Sequence, residues 1–258
     1  MNKEKTFFVG YLNLPKRYIK FLKFFLPISF LGMLLLSYTL AVYEKAPNKG
    51  IGWDPTGKTS VSIEARIFTK PYVLARFKYK NVSKTAILTA MNKTGIKHRV
   101  KGLHNKLVKL TGIMTQYKGR FVFNILDSKD AIKILKTQSN IFKNFLKKDL
   151  GFKTLTGEVI DPKCYVGAMK PGEGKTHKAC ATLCIKGGIP PVLLVKDQYA
   201  SSIFEERFYL LLDEKGNPVL DDILPFIGDQ VKLQGRVFKW GDIWFYKMKK
   251  HSIKRINL

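Results

Sequence analysis

A chain of 258 residues has room for one large or two small domains with real cores. Lys and Arg outnumber Asp and Glu by 46 − 19 = +27, an excess that suits an anionic partner such as nucleic acid, anionic lipid or an acidic protein. The lysines are spread along the whole chain, which excludes a basic tail as their source and makes a generally Lys-rich composition an equal explanation.

In chain order, the first element is an apolar run, Phe24–Val42, of 19 residues without a charge. As a helix it rises roughly 28 Å, close to the hydrocarbon thickness of a bilayer. Lys3, Lys5, Lys16, Arg17, Lys20 and Lys23 precede it against a single Glu4, whereas Lys45, Lys49 and Lys58 follow it. The positive-inside rule therefore predicts a cytoplasmic segment over 1–23, a span over 24–43 and an extracytoplasmic remainder. That corresponds to a single-pass protein of the inner (cytoplasmic) membrane. A cleaved signal peptide fits less well, because the apolar run is long and Thr39-Leu40-Ala41 is a poor cleavage site.

Residues 44–58 read as a linker from their Pro, Gly, Asn and Asp. Beyond them the chain repeats itself. Val108–Ile125 matches Val231–Met248: Val, Lys, Leu and Gly recur in register, Tyr117 meets Trp240, and Phe121-Val122-Phe123 meets Trp244-Phe245-Tyr246. Each copy alternates apolar and polar residues around a turn, Lys118-Gly119 or Gly241-Asp242, the pattern of a β-hairpin. Upstream, Lys70–Val73 (KPYV) echoes Lys163–Val166 (KCYV). The prediction is a mainly β chain: two tandem small OB-like barrels over 59–126 and 153–258, with a helical insert in the second. Apolar residues at helical spacing (Ile134, Ile141, Phe145) predict a connecting helix within 127–152.

The insert carries the chemistry. Gly157–Pro191 holds all 3 cysteines, Cys164, Cys180 and Cys184, together with His177. A helix from about His177 to Lys186, capped by Thr176 and ended by Gly187-Gly188, puts His177, Cys180 and Cys184 on one face. Three thiols and an imidazole are a ligand set for zinc or for copper(I), with Met169 as an additional soft donor. The axial rise from His177 to Cys184 is roughly 10.5 Å on a continuous helix. A four-ligand centre therefore needs His177 to lie before the regular helix begins. The other reading is a disulfide from Cys164 to Cys180 or Cys184, since exported thiols tend to oxidise. No Cys-x-x-Cys, Gly-x-Ser-x-Gly, His-Glu-x-x-His or phosphate loop occurs, so no catalytic residue is assigned.

The string formed by Gly157, Asp161, Cys164, His177, Cys180, Cys184 and Gly188, followed by a strand and a late V-K-L-x-G hairpin, resembles a group of small exported bacterial β-barrel domains of uncharacterised function. The resemblance covers about the last hundred residues. It implies an exported OB-like barrel with a Cys/His group and brings no activity.

Elsewhere the plainer readings prevail. Asp161 and Glu173 flank the cluster as candidates for a base or a ligand, but the plainer readings are that Asp161 fixes an Asp-Pro turn and Glu173 is solvated in a Gly loop; His98, His104 and His251 are surface residues among Lys and Arg. The hairpin aromatics are barrel core rather than stacking platforms for nucleic acid. Three functions follow: a membrane-anchored, non-enzymatic metal-handling or assembly protein serving a membrane or periplasmic partner; a disulfide-stapled interaction module of a membrane complex; and a nucleic-acid-binding OB protein, disfavoured by export.

Overall fold

The computed structural model describes residues 14–43, 52–136, 142, 146–197 and 205–256. The chain divides into two units, residues 1–47 and 48–258. Within the first, α1 (Lys16–Tyr43) is a 28-residue helix, long and apolar enough to cross a membrane. It begins eight residues before the uncharged run, taking in the basic and aromatic stretch from Lys16 to Lys23.

The second unit opens with a closed barrel: β1 (Val61–Phe68), β2 (Leu74–Tyr79), β3 (Val82–Ala90), β4 (Leu107–Tyr117) and β5 (Arg120–Ile125). The pairing runs β1-β2-β3-β5-β4 and closes through β1–β4, with β3–β5 parallel and the rest antiparallel. A second barrel repeats the circuit with β7 (Lys147–Ile160), β8 (Val192–Asp197), β9 (Glu205–Leu212), β10 (Gln230–Trp240) and β11 (Ile243–Met248). Its parallel pair is β9–β11, and β7–β10 closes it. Short strands β6 (Ile132–Ile134) and β12 (Lys254–Arg255) add to β4 and β10 at matching places. This five-stranded circuit is the OB type, and both barrels have it.

The two hairpins read from the repeat are β4–β5 and β10–β11. Lys118 and Gly119 take φ of 47° and 73°, as a tight hairpin turn requires. The KPYV and KCYV echoes occupy the same place, just after the first strand of each barrel. From there the first barrel enters β2 at once, whereas the second travels from Val166 to Val192 first. The insert therefore lies between the first two strands of the second barrel.

The expected connecting helix over 127–152 does not occur among the described residues. Lys129–Ala131 form a single turn, Ile132–Ile134 pair with β4, and Lys147 onward already belongs to β7. Ile134 is 60% exposed on β6, while Ile141 and Phe145 fall outside the described residues. Over 132–134 and from 147 onward, backbone pairing at sheet edges takes the place of helix.

Alternation fills each barrel. Ile67, Phe77, Leu88, Leu110 and Phe123 build the first core; Val159, Leu193, Tyr209, Leu233 and Tyr246 build the second. A third cluster joins the two, packing Tyr72, Leu74, Ile87 and Val122 against Tyr165, Leu194, Leu210 and Phe245. Polar contacts pin this interface: the Tyr72 hydroxyl donates to Leu211 O (2.5 Å), and Thr85 donates to Asp242 through its N–H (2.9 Å) and hydroxyl (2.6 Å).

Candidate metal centre

The insert begins where β7 ends. Asp161 is fully buried, and its Oδ1 accepts the N–H of Cys164 (2.9 Å), starting one wide helical turn over Cys164–Ala168. A 3-10 turn at Lys175–His177 then leads into α2 (Lys178–Lys186). His177, rather than Thr176, is the N-cap residue, and it makes no side-chain capping bond. Its ring is instead turned to Asp161, with Nε2 3.0 Å from Oδ2. The condition set by helix geometry is met, because His177 precedes the regular helix. Gly188, at φ 96°, supplies the left-handed exit.

Of the α2 side chains, Ala181 and Ile185 enter the second barrel's core, while Cys184 packs with Cys164, Ile189 and Cys180. The sulfurs of Cys164, Cys180 and Cys184 all lie within 4.8 Å of one another. One ligand atom each of Asp161, Cys164 and His177 meets the same limit. Cys164 is thus shared by two triads: three thiols on one side, a carboxylate–imidazole pair on the other. His177 joins the cluster through Cys164, not as a fourth member of the three-thiol group. These residues can hold a metal ion. All three cysteines are free, and Cys164 and Cys180 sit 3.8 Å apart, against about 2.0 Å for a disulfide.

The thiols differ in environment. Cys164 and Cys184 are buried and Cys180 is half-buried. Cys180 donates to the Met169 sulfur (3.6 Å), and Met169 is 46% exposed, so the cluster reaches solvent along a soft-donor edge. Hydrogen bonding from Cys164 lowers the pKa of Cys184, helped by Lys93 and Lys163. The same bond, burial and the nearby Asp161 raise that of Cys164. The two thiols titrate as a pair through this bond, and the thiolate is the form that binds metal.

Two lysines that the sequence did not single out complete the surroundings. Lys93 comes from the first barrel and donates from Nζ to Cys180 Sγ (3.2 Å); that contact raises the lysine's own pKa. Lys163 is buried, and its ammonium donates to Ala90 O (2.6 Å), Met91 O (2.9 Å) and Asn92 O (2.6 Å). Burial pulls its pKa down to about 8. The Lys163 clamp and a Gly95 N–H bond to Gly187 O (2.8 Å) seat the loop that carries Lys93 against α2. That packing leaves no room for side chains, because a Cβ on Gly95 would lie 2.5 Å from Gly188 O.

Of the remaining candidates, Glu173 pairs with Lys196 rather than standing free in solvent. His98, His104 and His251 are exposed, as expected. Phe121, Phe123, Phe245 and Tyr246 are buried, while Tyr117, Trp240 and Trp244 are partly buried. No family model and no curated protein matches the chain.

Proposed function

We propose that this is a non-enzymatic, membrane-anchored protein whose second barrel holds a thiophilic metal ion, zinc or copper(I), on Cys164, Cys180 and Cys184. The carrying observation is the convergence of three sulfurs within 4.8 Å, two of them buried, drawn from a barrel turn and an inserted helix. Thiolates are the donors that select soft metals, and the Met169 thioether beside Cys180 extends that preference. Lys93 and Lys163 offset the negative charge that three thiolates would bring into a partly buried site.

His177 and Asp161 have a supporting role in this reading. A carboxylate on Nε2 fixes the ring and leaves Nδ1 as the nitrogen with a free lone pair, the usual outer arrangement around a metal-binding histidine. A bound ion would polarise or be passed on; the surrounding residues hold the thiols, balance charge and keep one edge open.

The charge bias around α1 supports a cytoplasmic N-terminus and an extracytoplasmic barrel pair in the inner membrane, working as an accessory or assembly subunit for a membrane or periplasmic partner. The signature from Gly157 to Gly188 supports grouping the second barrel with the small exported OB-like domains it resembles. The test is elemental analysis of the full chain purified anaerobically in detergent. A stoichiometric thiophilic metal, lost from Cys180→Ser/Cys184→Ser, is expected. Metal-free protein, or metal unchanged by the substitutions, refutes the reading. A reporter fused after Leu258 that is active only in the cytoplasm refutes the topology.

A further inference from the structure

A cleft of about 1530 Å³ runs between the two barrels, larger than the 300–1,000 Å³ usual for small-molecule sites. The first barrel contributes Lys70, Lys97 and Lys101; the second contributes Lys147, Lys148 and Lys215. With Arg236 and Lys247 the lining holds 8 Lys or Arg against one acid, Asp149, a local excess of 8 − 1 = +7. The chain as a whole carries 46 basic to 19 acidic residues, so the cleft concentrates the imbalance well beyond background composition. Asp149 is already neutralised by Arg236, at 2.7 Å and 2.8 Å. Lys97, Lys101, Lys148 and Lys215 are exposed and make no ion pair among the described residues.

We propose that this cleft binds an extended acidic segment of a partner protein. Three observations favour polypeptide over the other polyanions. First, the cleft's aromatic rings are occupied: Phe238 stacks on Phe245 (5.3 Å) beneath Lys247, and Trp240 packs on Phe245 (4.9 Å) with Lys147 Nζ 4.7 Å from its ring. Stacking of nucleic-acid bases needs open ring faces. Second, the lysines line a concavity between two barrels, where a flat bilayer does not reach. Third, β7 pairs with β10 along one edge over Lys147–Glu158, while β8 takes the other edge only from Glu158 to Ile160. Over 147–149, the part of β7 that lines the cleft, that second edge has no strand partner among the described residues and suits an added strand; further along, the Gly151 N–H bonds Asp149 Oδ1 and the Lys153 carbonyl accepts the Tyr246 hydroxyl. Lysine ammoniums on flexible stems fit carboxylates without demanding one fixed geometry.

The site is separate from the thiol cluster, so its failure and that of the metal reading are distinguishable. The experiment measures binding of labelled polyglutamate to the full chain in zwitterionic nanodiscs, beside labelled oligo-dT and phosphatidylglycerol vesicles. Reversing Lys97, Lys101 and Lys215 to Glu is expected to weaken polyglutamate binding ten-fold or more. Reversing Lys109, Lys232 and Lys250, exposed lysines outside the cleft, is expected to change it by less than two-fold. Should the first variant melt early, Lys101→Gln/Lys215→Gln gives the same comparison with a smaller perturbation. Equal losses in both sets, or no polyglutamate binding, overturn the proposal. So does tighter, cleft-dependent binding of oligo-dT or of vesicles.

Discussion

Replacing Asp161 tests how the insert is held. The side chain is fully buried and makes two bonds, one to the Cys164 N–H at 2.9 Å and one to His177 Nε2 at 3.0 Å. Hydrogen bonds to a charged group contribute about 1.5–3 kcal/mol each, so Asp161→Ala should cost about 3–6 kcal/mol, part of it from leaving the Cys164 amide buried and unpaired. Asp161→Asn retains an oxygen for that amide and an amide group opposite the imidazole; its cost should be about 1–2 kcal/mol. The assay is urea unfolding of the reduced, chelator-treated full chain, followed by tryptophan fluorescence. Trp53, Trp240 and Trp244 all belong to the barrel unit, and Trp53 lies beside the site, its ring 5.1 Å from Lys163 Nζ. A loss below about 1 kcal/mol for Asp161→Ala, or equal losses for Ala and Asn, would refute the role assigned to this carboxylate.

In the reduced, metal-free protein, half-buried Cys180 should alkylate well before buried Cys164 and Cys184; peptide mapping that finds Cys184 first contradicts the burial order. Gly95→Ala forces a Cβ to within 2.5 Å of Gly188 O, which only backbone movement relieves, so it should cost about 1–3 kcal/mol and detach Lys93 from Cys180; an unchanged melting temperature counts against the close seating of loop on helix. Glu158 is raised above the ordinary carboxylate pKa by burial, against the opposing Gly174 N–H bond. Between the ordinary value and the raised one the folded state holds a proton that the unfolded chain has lost, so stability falls as pH climbs through that window. Glu158→Gln should therefore melt above wild type at neutral pH and converge with it in acid; a gap that widens on acidification reverses the sign and refutes the argument.

Much of this architecture was legible because it rests on local signals. The apolar run of α1 needs only length, and the paired hairpins show as the same alternation twice, with β10 burying every second residue from Val231 to Val237. The connecting helix was expected over a segment where such signals are weak, and the middle of that segment lies outside the described residues. The first ten residues of β7 are largely exposed, including Phe152 at 62%, so no buried face imposes a period of two. At the site, the thiols and His177 stood out by crowding and spacing. Lys93 and Lys163 did not, because their roles depend on the first barrel docking on the second: Lys93 is 87 residues from Cys180, and Lys163 is 71–73 from the carbonyls it grips. The paired glycines at 95 and 187 were a faint signal of that docking, readable only once both barrels are in place.

X-ray absorption at the edge of whatever metal co-purifies with the anaerobically prepared full chain tests the central claim most directly. The account predicts a first shell dominated by three sulfurs, at about 2.3 Å if the ion is zinc, and its collapse in Cys164→Ser, since Cys164 is the ligand common to both triads. A shell of oxygen and nitrogen alone, or a sulfur shell unaltered by Cys164→Ser, would contradict it.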